Sequence, residues 1–169
     1  MTTAAAPARP QTGRTVMLAL VAGLFVADQV TKLWVLHGAD FSNGPIRVLP
    51  FMDITLVWNR GISYGLLQQD GLGRWLLVAF TAIVSVGLLV WLWRARVPLV
   101  RLALALVVSG ALGNLVDRVA YGAVVDFVHL HWGTFSWYVF NIADSAIVIG
   151  VALLLWDGFL GSGRRREDP

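Results

Sequence analysis

Residues 75–93 read WLLVAFTAIVSVGLLVWLW, nineteen positions without one ionisable side chain. A helix rises 1.5 Å per residue, so this stretch is about 28 Å long and matches the roughly 30 Å hydrocarbon core of a bilayer. Apolar residues occupy every face of that helix, leaving no side for water. Three further stretches have similar length and character: about 16–36 (VMLALVAGLFVADQVTKLWVL), about 99–119 (LVRLALALVVSGALGNLVDRV) and about 138–160 (YVFNIADSAIVIGVALLLWDGFL). The spacing predicts four transmembrane helices in a single domain over 16–160, with no internal repeat.

Composition agrees. Of 169 residues, 57% are hydrophobic and 14% charged, against about 25% charged in soluble domains. The mean hydropathy is +0.71. A soluble chain of this size could not hide so much apolar surface. The net charge of +3 does not point to nucleic acid, because the basic residues cluster at helix ends and not along one face. There is no cysteine, which excludes disulfides, thiol nucleophiles and cysteine metal sites.

Arginine placement predicts orientation. Arg9 and Arg14 precede the first helix, Arg94, Arg96 and Arg101 lie between the second and third, and Arg164, Arg165 and Arg166 follow the fourth. Alternating helices bring these three clusters to one side, so both termini are expected in the cytoplasm. Arg47, Arg60 and Arg74 are spread along the opposite side. Trp34, Trp75, Trp91, Trp93, Trp137 and Trp156 fall near helix ends, as interfacial aromatics do. Residues 1–15 read as a disordered cytoplasmic tail, followed by a retained helix with no small-residue cleavage site. Residues 161–169 read as a basic cytoplasmic tail.

Two outer segments have strand character. IRVLPFMDITLVWN (46–59) is rich in β-branched and aromatic residues and is broken by Pro50. VVDFVHLHW (124–132), Gly133 and TFSWYVF (134–140) resemble a hairpin running into the fourth helix. The expected fold is therefore membrane all-α, a four-transmembrane-helix bundle carrying a small extracytoplasmic β-rich cradle.

Ionisable groups inside spanning segments are costly and mark function. Asp28 and Lys32, four apart on one helix face, lie in the outer half of the first helix. Asn114, Asp117 and Arg118 end the third helix, Asn141 and Asp144 open the fourth, and Asp126 lies in the loop between them. All converge on the outer leaflet, whereas the inner halves carry almost nothing polar. Asp126 and Asp144 are eighteen residues apart, joined by a loop long enough to fold one over the other. Two close carboxylates cannot both ionise cheaply, so they share a proton, one serving as base toward water and the other as acid toward a carbonyl. Asn114, Asn141 and Arg118 can orient them.

Plainer readings stand beside this one. Asp28–Lys32 reads more readily as a structural ion pair than as a catalytic one, and Asp117–Arg118 can be a membrane-boundary pair. His129 and His131 alternate on a strand and could ligate a metal with Asp126, although exposed histidine pairs are more often surface chemistry. Ser109 or Ser145 with Lys32 could form a Ser–Lys nucleophile, but serine is a routine packing residue in membrane helices. Asp40, Asp53 and Asp70 read as loop solvation. A transporter or proton relay through Asp28, Lys32 and Asp144 would need polar groups in both leaflets. A purely structural subunit would not explain the clustering.

Five motifs in order carry a resemblance: ADQVTK (27–32), NRGISYG (59–65), SGALGNLVDR (109–118), VVDF (124–127) and FNIADSAI (140–147). Together they resemble the bacterial lipoprotein signal peptidase family, also called signal peptidase II, over nearly the whole chain. The resemblance implies an aspartic endopeptidase of the bacterial cytoplasmic membrane. Such an enzyme removes signal peptides from prolipoproteins, cutting N-terminal to a diacylglyceryl-modified cysteine. It implies Asp126 and Asp144 as the catalytic pair, with Asp28, Lys32, Asn59, Gly61, Asn114, Arg118, Asn141 and Ala143 in support. Asp117 also matches and is the alternative to Asp126. Asp126 is preferred because Asp117 adjoins Arg118 and reads as its partner. Lipid and prolipoprotein are the implied partners, without nucleic acid, metal or organic cofactor. The loop departs from the family's N-x-G-x-x-F pattern: Tyr64 stands for Phe, and Ile62 is bulky.

Overall fold

A computed structural model describes residues 12–61 and 72–164. The elements run α1 (Thr12–His37), β1 (Ile46–Leu49), β2 (Met52–Asn59), α2 (Leu72–Arg94), α3 (Pro98–Tyr121), β3 (Val124–Trp132), β4 (Phe135–Ser136) and α4 (Ile142–Arg164). All four helices are long and apolar enough to cross a membrane. The expected four-helix membrane architecture with a small sheet is what the chain forms.

Helix ends depart from expectation where local chemistry outweighs hydropathy. Helix α1 begins at Thr12, so residues 12–15 are helical and not part of the expected tail; residues 1–11 lie outside the described residues. Helix α4 begins at Ile142 and not at 138. Tyr138, Val139 and Phe140 are apolar but aromatic or β-branched, which suits extended backbone, and Phe140 bridges antiparallel to Val128. At its far end α4 runs on to Arg164, while residues 165–169 lie outside the described residues.

Helix α3 is the centre of the bundle. Half of its spanning window is buried, against 17%, 11% and 17% for α1, α2 and α4. Apolar side chains from α1 (Val21), α2 (Leu92) and α3 (Leu104, Ala105, Val108) meet in one cluster. The α3–α4 contact is closer. A Cβ at Gly110 would collide with the Ala143 carbonyl, and one at Gly150 would lie 2.6 Å from the Ala103 carbonyl oxygen. Small residues thus let two backbones touch where lipid offers no hydrophobic force to bring them together.

The sheet has antiparallel order β1-β2-β3-β4. It lies where α1 and α3 end and α4 begins. Val35 of α1 joins Ile54, Val125 and Phe127 in a second buried cluster that seats the sheet on the bundle. Gly122 ends α3 in the left-handed conformation (φ 76°), its N–H donating to Arg118 O. Arg74, from the start of α2, donates to the Arg118 and Val119 carbonyls at 3.0 and 2.7 Å and so caps that end. At the other end of the bundle the Arg14 guanidinium lies 4.8 Å from the Trp93 ring centroid, tying the start of α1 to the end of α2.

Candidate active site

The site grows from one buried lysine. Asp28 and Lys32 share a face of α1 and are 1% and 2% exposed. The Lys32 ammonium lies 2.8 Å from Asp28 Oδ2 and 2.8 Å from Asp117 Oδ2, and it donates to Asn114 Oδ1 at 3.1 Å. Three acceptors match its three protons. Asp28 Oδ1 accepts the Ala143 N–H at 2.9 Å, and Asp117 Oδ2 accepts the Val125 N–H at 3.1 Å. The α1 carboxylate therefore holds the start of α4, and the α3 carboxylate holds the start of β3.

Asn141 and Asp144 form a reciprocal cap on α4. The Asp144 N–H donates to Asn141 Oδ1 at 2.8 Å, and the Asn141 N–H donates to Asp144 Oδ2 at 3.3 Å. In the sequence Asn-x-x-Asp this is a capping box with a carboxylate in its third helical position. The Asn141 amide nitrogen faces Asp126 Oδ1 at 2.7 Å, Asn114 Oδ1 at 3.2 Å and the Val125 carbonyl at 3.3 Å. Asn114 donates its own amide to Asp144 Oδ1 at 2.8 Å. Asp126 and Asp144 are thus each held by one amide of this asparagine pair, and the two asparagines are bonded to each other.

Asp126 arrives from the sheet. In the β2–β3 register Ile54 faces Val128 and Val57 faces Asp126, so β2 carries one extra residue next to the aspartate. Bulges of this kind re-aim side chains beside functional sites. Asn59, at the end of β2, donates to Asp126 Oδ2 at 3.0 Å, and the Gly61 N–H steadies Asn59 through its Oδ1 at 3.3 Å. Asp126 is 2% exposed. Burial and then the neighbouring Asp144 charge push its carboxyl up to about 6, against the opposing pull of Asn59, Asn141 and Lys32. Asp144 is half-buried and stays partly open to solvent. Arg118 donates to the Asn114 carbonyl at 3.3 Å, and its charge acts on Asp144, Asp126 and Asp117.

Two expectations need correction. Asp117 pairs with Lys32 and not with Arg118; adjacent helix residues point about 100° apart, so neighbours in sequence face different partners. Asp53 is not a solvated loop residue. It lies on β2, 9% exposed, 3.2 Å from Arg47 Nε and 3.0 Å from His131 Nε2. His129 instead meets Ser136 Oγ at 2.7 Å, and strand alternation turns both histidines from the face that carries Asp126. Ser109 and Ser145 donate to the Leu106 and Asn141 carbonyls of their own helix region, away from the lysine. Ile62, Ser63, Tyr64 and Asp70 lie outside the described residues.

Gln29 is a member that the sequence reading passed over. Its amide reaches Asp28 Oδ2, the Gly113 carbonyl and Asp117 Oδ1 at 3.2–3.3 Å. Its place between Asp28 and Lys32 inside a spanning helix is the signal the sequence carries for it.

Known proteins share this arrangement of helices and sheet. A profile of the signal peptidase (SPase) II family matches residues 20–160. A lipoprotein signal peptidase of Methylorubrum extorquens (strain PA1) is 56% identical over 146 residues, covering 85% of each chain. One from Rhodopseudomonas palustris (strain ATCC BAA-98 / CGA009) is 49% identical over 86% of this chain and 94% of its own length. A solved bacterial membrane enzyme superposes with a TM-score of 0.80 at 27% identity, covering 92% of this chain and 94% of that one. Identity at this level over nearly the whole length, on a common four-helix framework, leaves one conclusion: the chain belongs to the signal peptidase II family and is a multi-pass membrane peptidase.

Proposed function

We propose that the peptidase is of the aspartic type, with Asp126 and Asp144 as a proton-sharing pair. The observation that carries this reading is the shared cradle: Asn141 bonds Asp126 and caps Asp144, while Asn114 bonds Asp144. The shared proton is assigned to Asp126, whose carboxyl is pushed up to about 6 by burial and the Asp144 charge. Asp144 takes a proton from water as the water oxygen bonds to the scissile carbonyl carbon, and Asp126 gives its proton to the carbonyl oxygen. The C–N bond of the resulting diol then breaks. Asp144 passes its proton to the leaving nitrogen, and a diol hydroxyl returns one to Asp126. Acid–base assistance of this kind contributes about 10²–10⁴-fold. Asp28, Lys32, Asp117, Asn59, Gly61, Asn114, Arg118 and Ala143 position the pair.

The substrate on this reading is a prolipoprotein anchored in the membrane, cut N-terminal to a diacylglyceryl-modified cysteine. Its scissile bond lies near the headgroup boundary, which suits carboxylates one or two turns inside the bundle end. Arg14, Arg94, Arg96 and Arg101 crowd the opposite end, which supports an extracytoplasmic site with both termini in the cytoplasm. The test compares one prolipoprotein with and without its lipid, mapping the cut by the mass of both products. Cleavage before the modified cysteine, and far slower cleavage without lipid, is expected. Equal rates, or a cut elsewhere, would remove the lipid from the reading. A relay of protons through the membrane is not favoured: the buried hydroxyls deeper in the bundle, Ser85 and Ser109, bond only carbonyls of their own helices.

A further inference from the structure

A groove opens between α1, α2 and α3 at the end of the bundle opposite the aspartates. Met17, Leu18, Leu89 and Leu92 form its apolar wall, and Arg14, Trp93 and Arg101 its rim. We propose that it binds one acidic phospholipid of that leaflet, an acyl chain lying in the groove and the phosphodiester between the two arginines.

The two arginines share this rim. Among the described residues neither makes an ion pair, and Asp157, the acidic residue of α4 toward this end, pairs with neither. Both stand in the first turn of their helices, where the macrodipole disfavours a cation. Two like charges at a low-dielectric boundary call for a counter-charge from outside the chain. Their partners leave donors free for it. The Arg14 guanidinium carbon lies 4.8 Å from the Trp93 ring centroid, and among the described residues none of its N–H groups has a carboxylate partner. Arg101 spends only Nε on the Ala95 carbonyl, at 2.7 Å. Phosphate fits such paired forks. The wall beneath is apolar and half-buried or exposed except for Leu92, so a free phosphate would leave it uncovered, whereas an acyl chain covers it. Basic pockets between helices are the places where acidic headgroups settle.

The test uses the full chain, purified and delipidated, offered phosphatidylglycerol and phosphatidylcholine at equal mole fraction, with retained lipid counted by native mass spectrometry. The parent should keep one phosphatidylglycerol in clear preference to phosphatidylcholine. Equal retention overturns the proposal and needs no variant. The double variant Arg14→Gln/Arg101→Gln should lose retention by about thirtyfold, about fivefold per arginine, with cleavage of substrate in detergent unchanged. Leu89→Trp, which fills the groove and keeps both charges, should lose it as well. Full retention by either folded variant contradicts the proposal. So does displacement of the lipid by sn-glycerol 1-phosphate, which would make this a headgroup site only, or a dimer mass appearing in its place.

Discussion

Replacing Lys32 by Met removes the cation around which α1, α3 and the start of α4 are assembled. The side chain is 2% exposed, and its ammonium serves Asp28, Asp117 and Asn114 at 2.8–3.1 Å. Methionine fills much of the volume, so the main loss is electrostatic. Two carboxylates are left buried without their counter-charge, and breaking a buried pair in this way costs about 3–5 kcal/mol. That is a large share of the roughly 5–15 kcal/mol available to a domain. For a chain of this size it corresponds to a fall in Tm of about 6–20 °C. Thermal unfolding in detergent, followed by tryptophan fluorescence, reads it. The double variant Lys32→Met/Asp117→Asn separates charge from packing. Removing one stranded carboxylate should restore about 0.5–3 kcal/mol of coupling. Cleavage should also fall, because Asn114 loses the partner that holds its amide on Asp144. A Lys32→Met protein within about 0.5 kcal/mol of the parent, or a double variant less stable than the single, would refute this account of the triad.

Other consequences follow from the same contacts. The Asp126 carboxyl is carried from 3.8 to about 6 in the folded chain, so the native state keeps a proton that the unfolded chain gives up. Its contribution to stability is therefore full below about pH 3.8 and is lost as pH climbs through 6. Denaturant titrations at several pH values should show that decline in the parent and not in Asp126→Asn, and the cleavage rate should fall on the alkaline side of about 6 as the shared proton is lost. Asn141→Ala removes the cap of α4, worth about 0.5–2 kcal/mol, and should depress kcat more than KM because both carboxylates lose a fixed partner. Gly113→Ala would bring a Cβ to 2.5 Å from Asp28 Oδ2 and cost about 1–3 kcal/mol. Gly23→Ala, where a Cβ meets nothing within 4 Å, should be neutral or slightly stabilising in the same melt.

The spans were legible because bilayer thickness fixes their length, and α2 was the plainest, with no ionisable group between Trp75 and Trp93. The start of α4 was not legible from hydropathy, since Tyr138, Val139 and Phe140 count as apolar whether helical or extended; only the cap at Asn141 separates the two. Asp53 was misread because its burial depends on a β2–β3 register that sets it opposite His129 and beside His131, a long-range pairing with no local mark. The polar cluster was legible as a set, since its helical members stood at the same depth and Asp126 lay in the segment joining two of them. Its wiring was not. That Asp117 turns to Lys32, and that Gln29 joins the network, depends on how α1 and α3 are rotated against each other.

The central claim is that Asp126 and Asp144 do the chemistry together, and single-turnover cleavage of a diacylglyceryl prolipoprotein by separate Asp126→Asn and Asp144→Asn proteins tests it most directly. Each substitution is nearly isosteric, so thermal melts can verify that both variants remain folded. The account predicts that each loses at least about 10²–10⁴-fold in the cleavage step while still binding substrate, and that the double variant is scarcely worse than either single, as for groups that act as a unit. Near-parental cleavage by either folded variant would contradict it.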